Sequence, residues 1–323
     1  MKNFIIDDFK DDVDDIIDRF KNKKDFTFYT SGSTAEPKKI VHSFEVMKMA
    51  VENNIENFQI DKTSYILANL MPPRTIGFAI LQVLPAYLTE ATIRIKKFEF
   101  KKVVKELSND VTHSVIVPNV YRLLLKTKDW KEANFSNLET IIMGSDILPE
   151  GSKNEWLSKG TKKFAHVYGS TEVPPAVFVS DDEKYMKNKI SKDIDYYFED
   201  DGELCCKWKN QKEYWKSGDI FADESYIMGR KKNIVKLNCS HVFPETIEKY
   251  IMDNLNNVNR CLAMVNDSKL KIFYEGENCD SKIKKLIKNF FPDEDNVSIK
   301  IKNVEQLKTN SLNKIIRNQV IYA

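Results

Sequence analysis

The sequence predicts an α/β protein: a mostly parallel sheet flanked by helices, a β-rich segment after it, and a small α+β domain at the C-terminal end. Three observations carry this. Between about residues 64 and 170, short apolar runs alternate with stretches of helical periodicity, the pattern of strands joined by helical crossovers. Between about residues 175 and 228 the pieces turn short and β-leaning, with turn signals at Asp181-Asp182, Asp200-Asp201-Gly202 and Ser217-Gly218-Asp219. From Pro244 onward, helix and strand patterns begin again around an apolar set of their own.

The elements follow in order. The acidic run with Asp7, Asp8, Asp11, Asp12, Asp14, Asp15 and Asp18 reads as the solvated face of a helix. Tyr65-Ile66-Leu67-Ala68 reads as a strand, Ile76 to Leu88 as an apolar helix and Ala91 to Ile95 as a strand. Phe98 to Leu107 is an amphipathic helix with Phe100, Val103, Val104 and Leu107 on one face. Ser114-Val115-Ile116-Val117 is a buried strand, and Pro118 opens a helix carrying Val120, Leu123 and Leu124. Leu138 to Met143 and Phe164 to Tyr168 are further strands with a helix between them. The C-terminal part reads as a helix (Thr246 to Leu255), two strands (Cys261 to Val265, Lys269 to Tyr274), a helix (Ser281 to Phe290) and a strand (Val297 to Ile301). A boundary near Lys231 to Asn233 divides a large domain, 1–231, from a small one, 232–323. Ligands of parallel sheets bind at the carboxyl ends of strands. Met143-Gly144-Ser145 and Tyr168-Gly169-Ser170 fall at two such ends.

Composition narrows the function classes. The 323 residues are 42% hydrophobic and 30% charged, as in a soluble globular protein. A net charge of +2 favours neither nucleic acid nor an anionic membrane as partner. No apolar run is long enough to span a bilayer, and the acidic N-terminus is unlike a signal or transit peptide, so a cytoplasmic location is expected. The five cysteines show no C-x-x-C spacing and the four histidines are scattered, which points to neither a disulfide framework nor a zinc site.

The stretch Phe28-Tyr29-Thr30-Ser31-Gly32-Ser33-Thr34-Ala35-Glu36-Pro37-Lys38-Lys39-Ile40 is a hydroxyl- and glycine-rich loop between an apolar run and a helical pattern. Thr30, Ser31, Ser33 and Thr34 with Gly32 make an anion cradle, and Lys38 adds a positive charge. Its spacing does not satisfy the G-x-x-x-x-G-K-[ST] pattern. It resembles instead the phosphate-gripping loop of the adenylate-forming (AMP-binding) enzymes, the superfamily of acyl-CoA synthetases, peptide-synthetase adenylation domains and luciferases. Further segments follow in that family's order. Tyr168-Gly169-Ser170-Thr171-Glu172 resembles its Y-G-x-T-E. There the resemblance implies that Tyr168 stacks on adenine, Thr171 bonds a phosphate oxygen and Glu172 reaches a magnesium ion. Gly144-Ser145-Asp146 looks like the loop lining the adenine and acyl pocket. Trp215-Lys216-Ser217-Gly218-Asp219 is similar to T-G-D, implying that Asp219 holds the ribose hydroxyls. Gly229-Arg230-Lys231-Lys232-Asn233-Ile234-Val235-Lys236, continuing to Pro244-Glu245-Thr246-Ile247-Glu248, resembles the segment where Arg230 assists at the ribose and Lys232 is the interdomain hinge. Finally, Leu307-Lys308-Thr309-Asn310-Ser311-Leu312-Asn313-Lys314-Ile315-Ile316-Arg317 is similar to P-x-T-x-x-G-K-x-x-R with one residue more between Thr309 and Lys314, and the resemblance makes Lys314 the mobile adenylation lysine.

The resemblance implies an AMP-forming ligase that uses ATP and Mg2+ to activate a small carboxylic acid. It then passes the acyl group to coenzyme A or to the phosphopantetheine of an acyl carrier protein. The alternative is a non-catalytic or degenerate nucleotide-binding protein of the same fold, and a third reading is an enzyme that stops at the adenylate or passes it to an amine or hydroxyl. Only about two dozen residues precede the loop, where family members carry a longer region, so a large domain reduced on its N-terminal side is expected. Ala35, Cys239 and Asn313 stand where the family usually has glycine. Met71 to Phe78, Pro118 to Leu123, Gly144 to Asp146 and Val173 to Ala176 are expected to line the acyl pocket, with Arg74 and Asp146 as candidate polar contacts. An aryl or short aliphatic acid is preferred.

Overall fold

The computed structural model describes residues 3–30, 38–184, 186, 189–237, 240–266, 269–291, 298–310 and 314–317. The chain divides into two compact units, Met1–Tyr196 with Cys206–Trp215, and Tyr197–Cys205 with Lys216–Ala323. Lys231 and Lys232, where the sequence places a domain boundary, both lie within the second unit.

The first unit is built on an eight-stranded sheet. In chain order its strands are β1 (Phe4–Ile6), β4 (Tyr65–Ala68), β5 (Thr92–Ile95), β6 (His113–Ile116), β7 (Thr140–Gly144), β8 (Lys163–Tyr168), β9 (Phe178–Ser180) and β10 (Lys189–Ile190); β2 (Phe26–Tyr29) and β3 (Lys39–His42) form a separate hairpin. The order across the sheet is β1-β5-β4-β6-β7-β8-β9-β10. Strands β1 to β8 of that sheet pair parallel, and only β9 and β10 run antiparallel to their neighbours. All of β6 and β7 is buried. That is why their sequences read as continuous apolar runs rather than as alternation.

Helices α1 (Lys10–Lys21), α2 (Phe44–Phe58), α3 (Ile76–Phe78), α4 (Leu84–Thr89), α5 (Phe100–Leu107), α6 (Pro118–Leu124), α7 (Lys128–Glu132) and α8 (Ser152–Ser158) accompany the sheet. Helix α1 buries Val13, Ile16, Ile17 and Phe20 and turns its aspartates outward, as the sequence predicts. In α5, Val103, Val104 and Leu107 are buried, whereas Phe100 is an exposed hydrophobic. The apolar helix expected from Ile76 to Leu88 is present, but its middle, Ala79–Val83, is a π-helix. There the buried Asn54 donates a hydrogen bond of 3.0 Å to the Ile80 carbonyl. A polar side chain competing for the helix's own acceptors is a recognised cause of such local widening. Tyr121, Trp130, Phe135 and Trp156 pack ring to ring at 4.7–5.6 Å in the core between α6, α7 and α8.

Strands β11 (Ile194–Phe198), β12 (Glu203–Trp208), β13 (Trp215–Ala222) and β14 (Tyr226–Arg230) form a four-stranded sheet in that order. The turn expected at Ser217-Gly218-Asp219 is instead inside β13. Gly218 has φ +70°, so the strand kinks there without reversing.

The second unit holds, from residue 235 on, the hairpin β15 (Val235–Leu237) and β16 (Ser240–Val242), α9 (Pro244–Asn254), β17 (Val258–Asn266), β18 (Lys269–Gly276), α10 (Asp280–Phe290) and β19 (Ser298–Asn303). Strand β18 pairs antiparallel with β17 and parallel with β19. Ile247 and Ile251 of α9 and Ile283 and Ile287 of α10 cover Ala263, Leu270 and Ile272 of the sheet. This is the α+β module read from Pro244 onward, enlarged by the hairpin that contributes Leu237 and Val242 to its core.

Candidate active site

Because β4, β6, β7 and β8 run parallel, their carboxyl ends share one edge of the sheet. Strand β4 lies between β5 and β6, so the winding reverses there, which opens a crevice at that edge. Gly144 closes β7 and Gly169 follows β8. A Cβ on Gly144 would stand 2.4 Å from the Val167 carbonyl oxygen, and one on Gly169 would stand 2.6 Å from the Pro175 Cα. Both glycines are therefore demanded by close backbone approach. Ser145, next in the chain, holds φ +79°, a left-handed conformation uncommon outside glycine.

The Gly169 to Ala176 loop is ordered from within. The Ser170 hydroxyl accepts hydrogen bonds from the Glu172 and Val173 amides, each at 3.1 Å, and the Ser170 amide donates to the Val173 carbonyl. Thr171 and Glu172, at the head of this turn, are half-buried. Tyr168 is buried, its ring 5.9 Å from that of Phe178. Asn54 holds the far end of the loop: its amide nitrogen donates to the Pro175 carbonyl and its oxygen accepts from the Ala176 amide.

The loop read as a phosphate cradle closes the hairpin of β2 and β3. Thr30 and Lys38 meet at its neck, where the Thr30 amide donates to the Lys38 carbonyl at 2.9 Å and the Lys38 amide donates to the Thr30 hydroxyl at 3.1 Å. Ser31, Gly32, Ser33, Thr34 and Ala35 lie outside the described residues. At the end of β3, His42 Nε2 lies 2.7 Å from the Thr171 carbonyl oxygen. A carbonyl only accepts, so Nε2 carries the hydrogen. Burial pushes His42 below the usual histidine range and keeps it neutral, against the opposing pull of Thr171 and Glu172. One imidazole thus joins the strand leaving the cradle to the segment carrying Thr171 and Glu172.

Arg74 departs from expectation. Its side chain is 89% exposed and pairs with Asp12 of α1 at 3.0 Å, so it is taken up by the acidic helix and not by a pocket. Asp146 accepts from the Ile147 amide at 2.8 Å.

In the second unit, Asp219 of β13 and Arg230 of β14 are cross-strand partners, with Arg230 Nε 2.7 Å from Asp219 Oδ1. The kinked Gly218 donates its amide to Glu203 at 3.0 Å, and the other oxygen of Glu203 takes Lys231 at 2.8 Å. Asp201 and Glu203 together raise the Lys231 ammonium well above the ordinary lysine range. Lys232 is exposed in the 3-10 turn Lys231–Asn233. Lys314 sits on a narrow hairpin: Thr309 bridges Ile315, the Asn310 amide donates to the Lys314 carbonyl, and the Lys314 amide donates to Asn310 Oδ1. Cys239 and Asn313 lie outside the described residues.

The sequence model of the AMP-binding enzymes matches residues 19–203. The chain belongs to the AMP-binding enzyme family. Over 149 residues, 46% of this chain and 29% of the relative, it is 30% identical to the indoleacetate–CoA ligase of Aromatoleum aromaticum. Over 262 residues, 68% of this chain and 52% of the relative, it is 26% identical to a feruloyl-CoA synthase of an Amycolatopsis species. The chain thus spans about half or less of the length of these curated relatives. Its fold matches that of o-succinylbenzoate coenzyme A synthetase from Bacillus subtilis in complex with AMP, with TM-score 0.77, 18% identity, and coverage of 92% of this chain and 69% of that one. Within the family match lie the cradle with Thr30 and Lys38, the Gly144-Ser145 end and the Tyr168 to Glu172 loop; Asp219, Arg230, Lys232 and Lys314 lie beyond it. Sequence reasoning missed His42, Asn54 and Glu203. Each acts through a partner remote in the chain, and no local pattern marks such a residue. Among the described residues no helix is long and apolar enough to cross a membrane.

Proposed function

We propose that this AMP-binding family member is an AMP-forming ligase acting on a small carboxylic acid, with a thiol as acyl acceptor. The acid's carboxylate oxygen bonds the α-phosphorus of ATP and pyrophosphate leaves. The thiol gives up its proton to solvent as its sulfur bonds the acyl carbon, and AMP leaves with the bridging oxygen. In this reading Lys38 and the loop hydroxyls stabilise charge spreading over the phosphates, Thr171 bonds a phosphate oxygen, Tyr168 and the Gly144-Ser145 turn border adenine, and Asp219 with Arg230 takes the ribose. Lys314 neutralises charge building at the α-phosphate. After adenylation the small domain, residues 232–323, turns about Lys232 and withdraws Lys314, a gating step of an ordinary kind.

Magnesium is commonly held by one or two carboxylates together with substrate phosphates. Glu172, half-buried at the head of the Ser170 turn, would be the carboxylate that holds it, and the ion would supply positive charge there.

The observation that carries this reading is the 2.7 Å tie from His42 to Thr171, which links the cradle strand to the catalytic loop. ATP–pyrophosphate exchange driven by a panel of aryl and short aliphatic acids tests it. Exchange with at least one acid, lost in Lys314→Ala, is expected. Nucleotide binding without exchange for any acid would favour the non-catalytic alternative. Offering coenzyme A and a holo carrier protein in turn then identifies the thiol.

A further inference from the structure

Two segments that the sequence sets far apart meet in the second unit. Arg317, at the end of the hairpin that carries Lys314, makes a two-pronged contact with Glu248 of α9: Nη1 lies 2.8 Å from Oε1 and Nη2 lies 2.7 Å from Oε2. The same Oε1 accepts from the Ala263 amide of β17 at 2.7 Å, and Arg317 Nη1 reaches the Ala263 carbonyl at 3.4 Å. Glu248 is buried. A buried pair of this kind often adds little net stability compared with apolar packing, but it strongly disfavours any arrangement in which the charges separate. It fixes register.

The network does not stop there. Glu245, one turn earlier on α9, lies 3.7 Å from Arg317 Nη2. Its Oε1 accepts from the Asn233 side-chain amide, and Asn233 belongs to the turn Lys231–Asn233. Glu245 Oε2 is buried without a hydrogen-bond partner among the described residues. A Cβ on Gly229, whose φ is +151°, would lie 3.1 Å from that oxygen. The glycine ahead of Arg230 therefore leaves the space that Glu245 occupies.

We propose that Arg317 and Glu248, linked through Glu245 to Asn233, are positioning residues that hold the Lys314 hairpin in fixed register with the turn about which the small domain swings. This rests on reading Lys314 as the adenylation lysine and Lys232 as the hinge. None of the four is among the residues assigned to substrate. They act by making the hairpin and the turn move as one body, so that Lys314 arrives at or leaves the α-phosphate as a unit with the hinge.

Hydrogen exchange on the full chain, with and without Glu248→Gln, reads the anchor directly. The reporters are the Asn310, Lys314 and Ile316 amides, each hydrogen-bonded within the hairpin. Their exchange is expected to rise about tenfold while the paired amides of β17 and β18 keep wild-type rates. Arg317→Lys keeps the charge but loses the fork, and serves as the milder second variant with the same pattern expected. In the half-reactions, Glu248→Gln is expected to lower pyrophosphate exchange about tenfold at saturating ATP while sparing thiol transfer from preformed acyl-adenylate. Unchanged hairpin exchange in both variants would overturn the proposal, as would uniform loss of protection across the small domain. A wild-type chain inactive with every acid would overturn the ligase reading, and the hydrogen-exchange pattern would still decide the anchor.

Discussion

At the scale of single residues, the sequence offers as site candidates those groups whose chemistry stands alone. Hydroxyls beside a glycine, a lysine closing the loop, and an aspartate after Ser217-Gly218 can be recognised without knowing what they face. His42 could not be, because its meaning comes from Thr171, 129 residues later in the chain. Asn54 is similar: buried asparagine on an apolar helix has no local signature, yet it fastens Ile80 and Pro175 at once. The His42 tie makes a residue-level prediction. His42→Leu leaves the Thr171 carbonyl without its donor, at a cost of about 1–3 kcal/mol in stability, and raises the KM for ATP in pyrophosphate exchange. His42→Gln keeps a donor and is expected to recover most of both. Equal behaviour of the two variants in urea unfolding and kinetics would remove the tie from the account.

At the scale of elements, the strands were legible because burial on both faces leaves a continuous apolar signature, and β4 falls where Tyr65 to Ala68 placed it. What stayed hidden were departures from regularity. The π-helical stretch Ala79–Val83 answers to Asn54, a side chain on a different helix. The kink at Gly218 looks like a turn in sequence, since glycine between polar residues signals both. Strand ends meet most tightly at β7 and β8. Gly144→Ala drives a methyl against the Val167 backbone, and the strand must shift, so a loss of about 1–3 kcal/mol is expected. Equilibrium unfolding in urea measures it, and an unchanged midpoint would show that the strand ends yield freely.

At the scale of the whole molecule, the order of the segments along the chain carried the family assignment, more than any one of them. Order does not reveal burial of titrating groups, and here three histidines of the first unit, His42, His113 and His166, are buried and pushed below the usual histidine range by loss of solvation. For His166 the value falls from 6.5 to about 4. The unfolded chain therefore binds protons first as pH drops. Stability is fully present above pH 6.5 and is lost as pH falls toward about 4, by about 3 kcal/mol from His166 alone. All four tryptophans, Trp130, Trp156, Trp208 and Trp215, belong to the first unit. Urea unfolding followed by tryptophan fluorescence at pH 7, 5.5 and 4.5 should show a falling midpoint; a flat profile would mean that water reaches these imidazoles.

The proposed reaction activates a carboxylate by joining its oxygen to the α-phosphorus of ATP. Supplying the accepted acid with 18O in its carboxylate and analysing the nucleotide product by mass spectrometry tests that bond directly. AMP carrying one 18O from the acid, in step with thioester formed, is the expected result. Unlabelled AMP, or ADP and phosphate as the products, would contradict it.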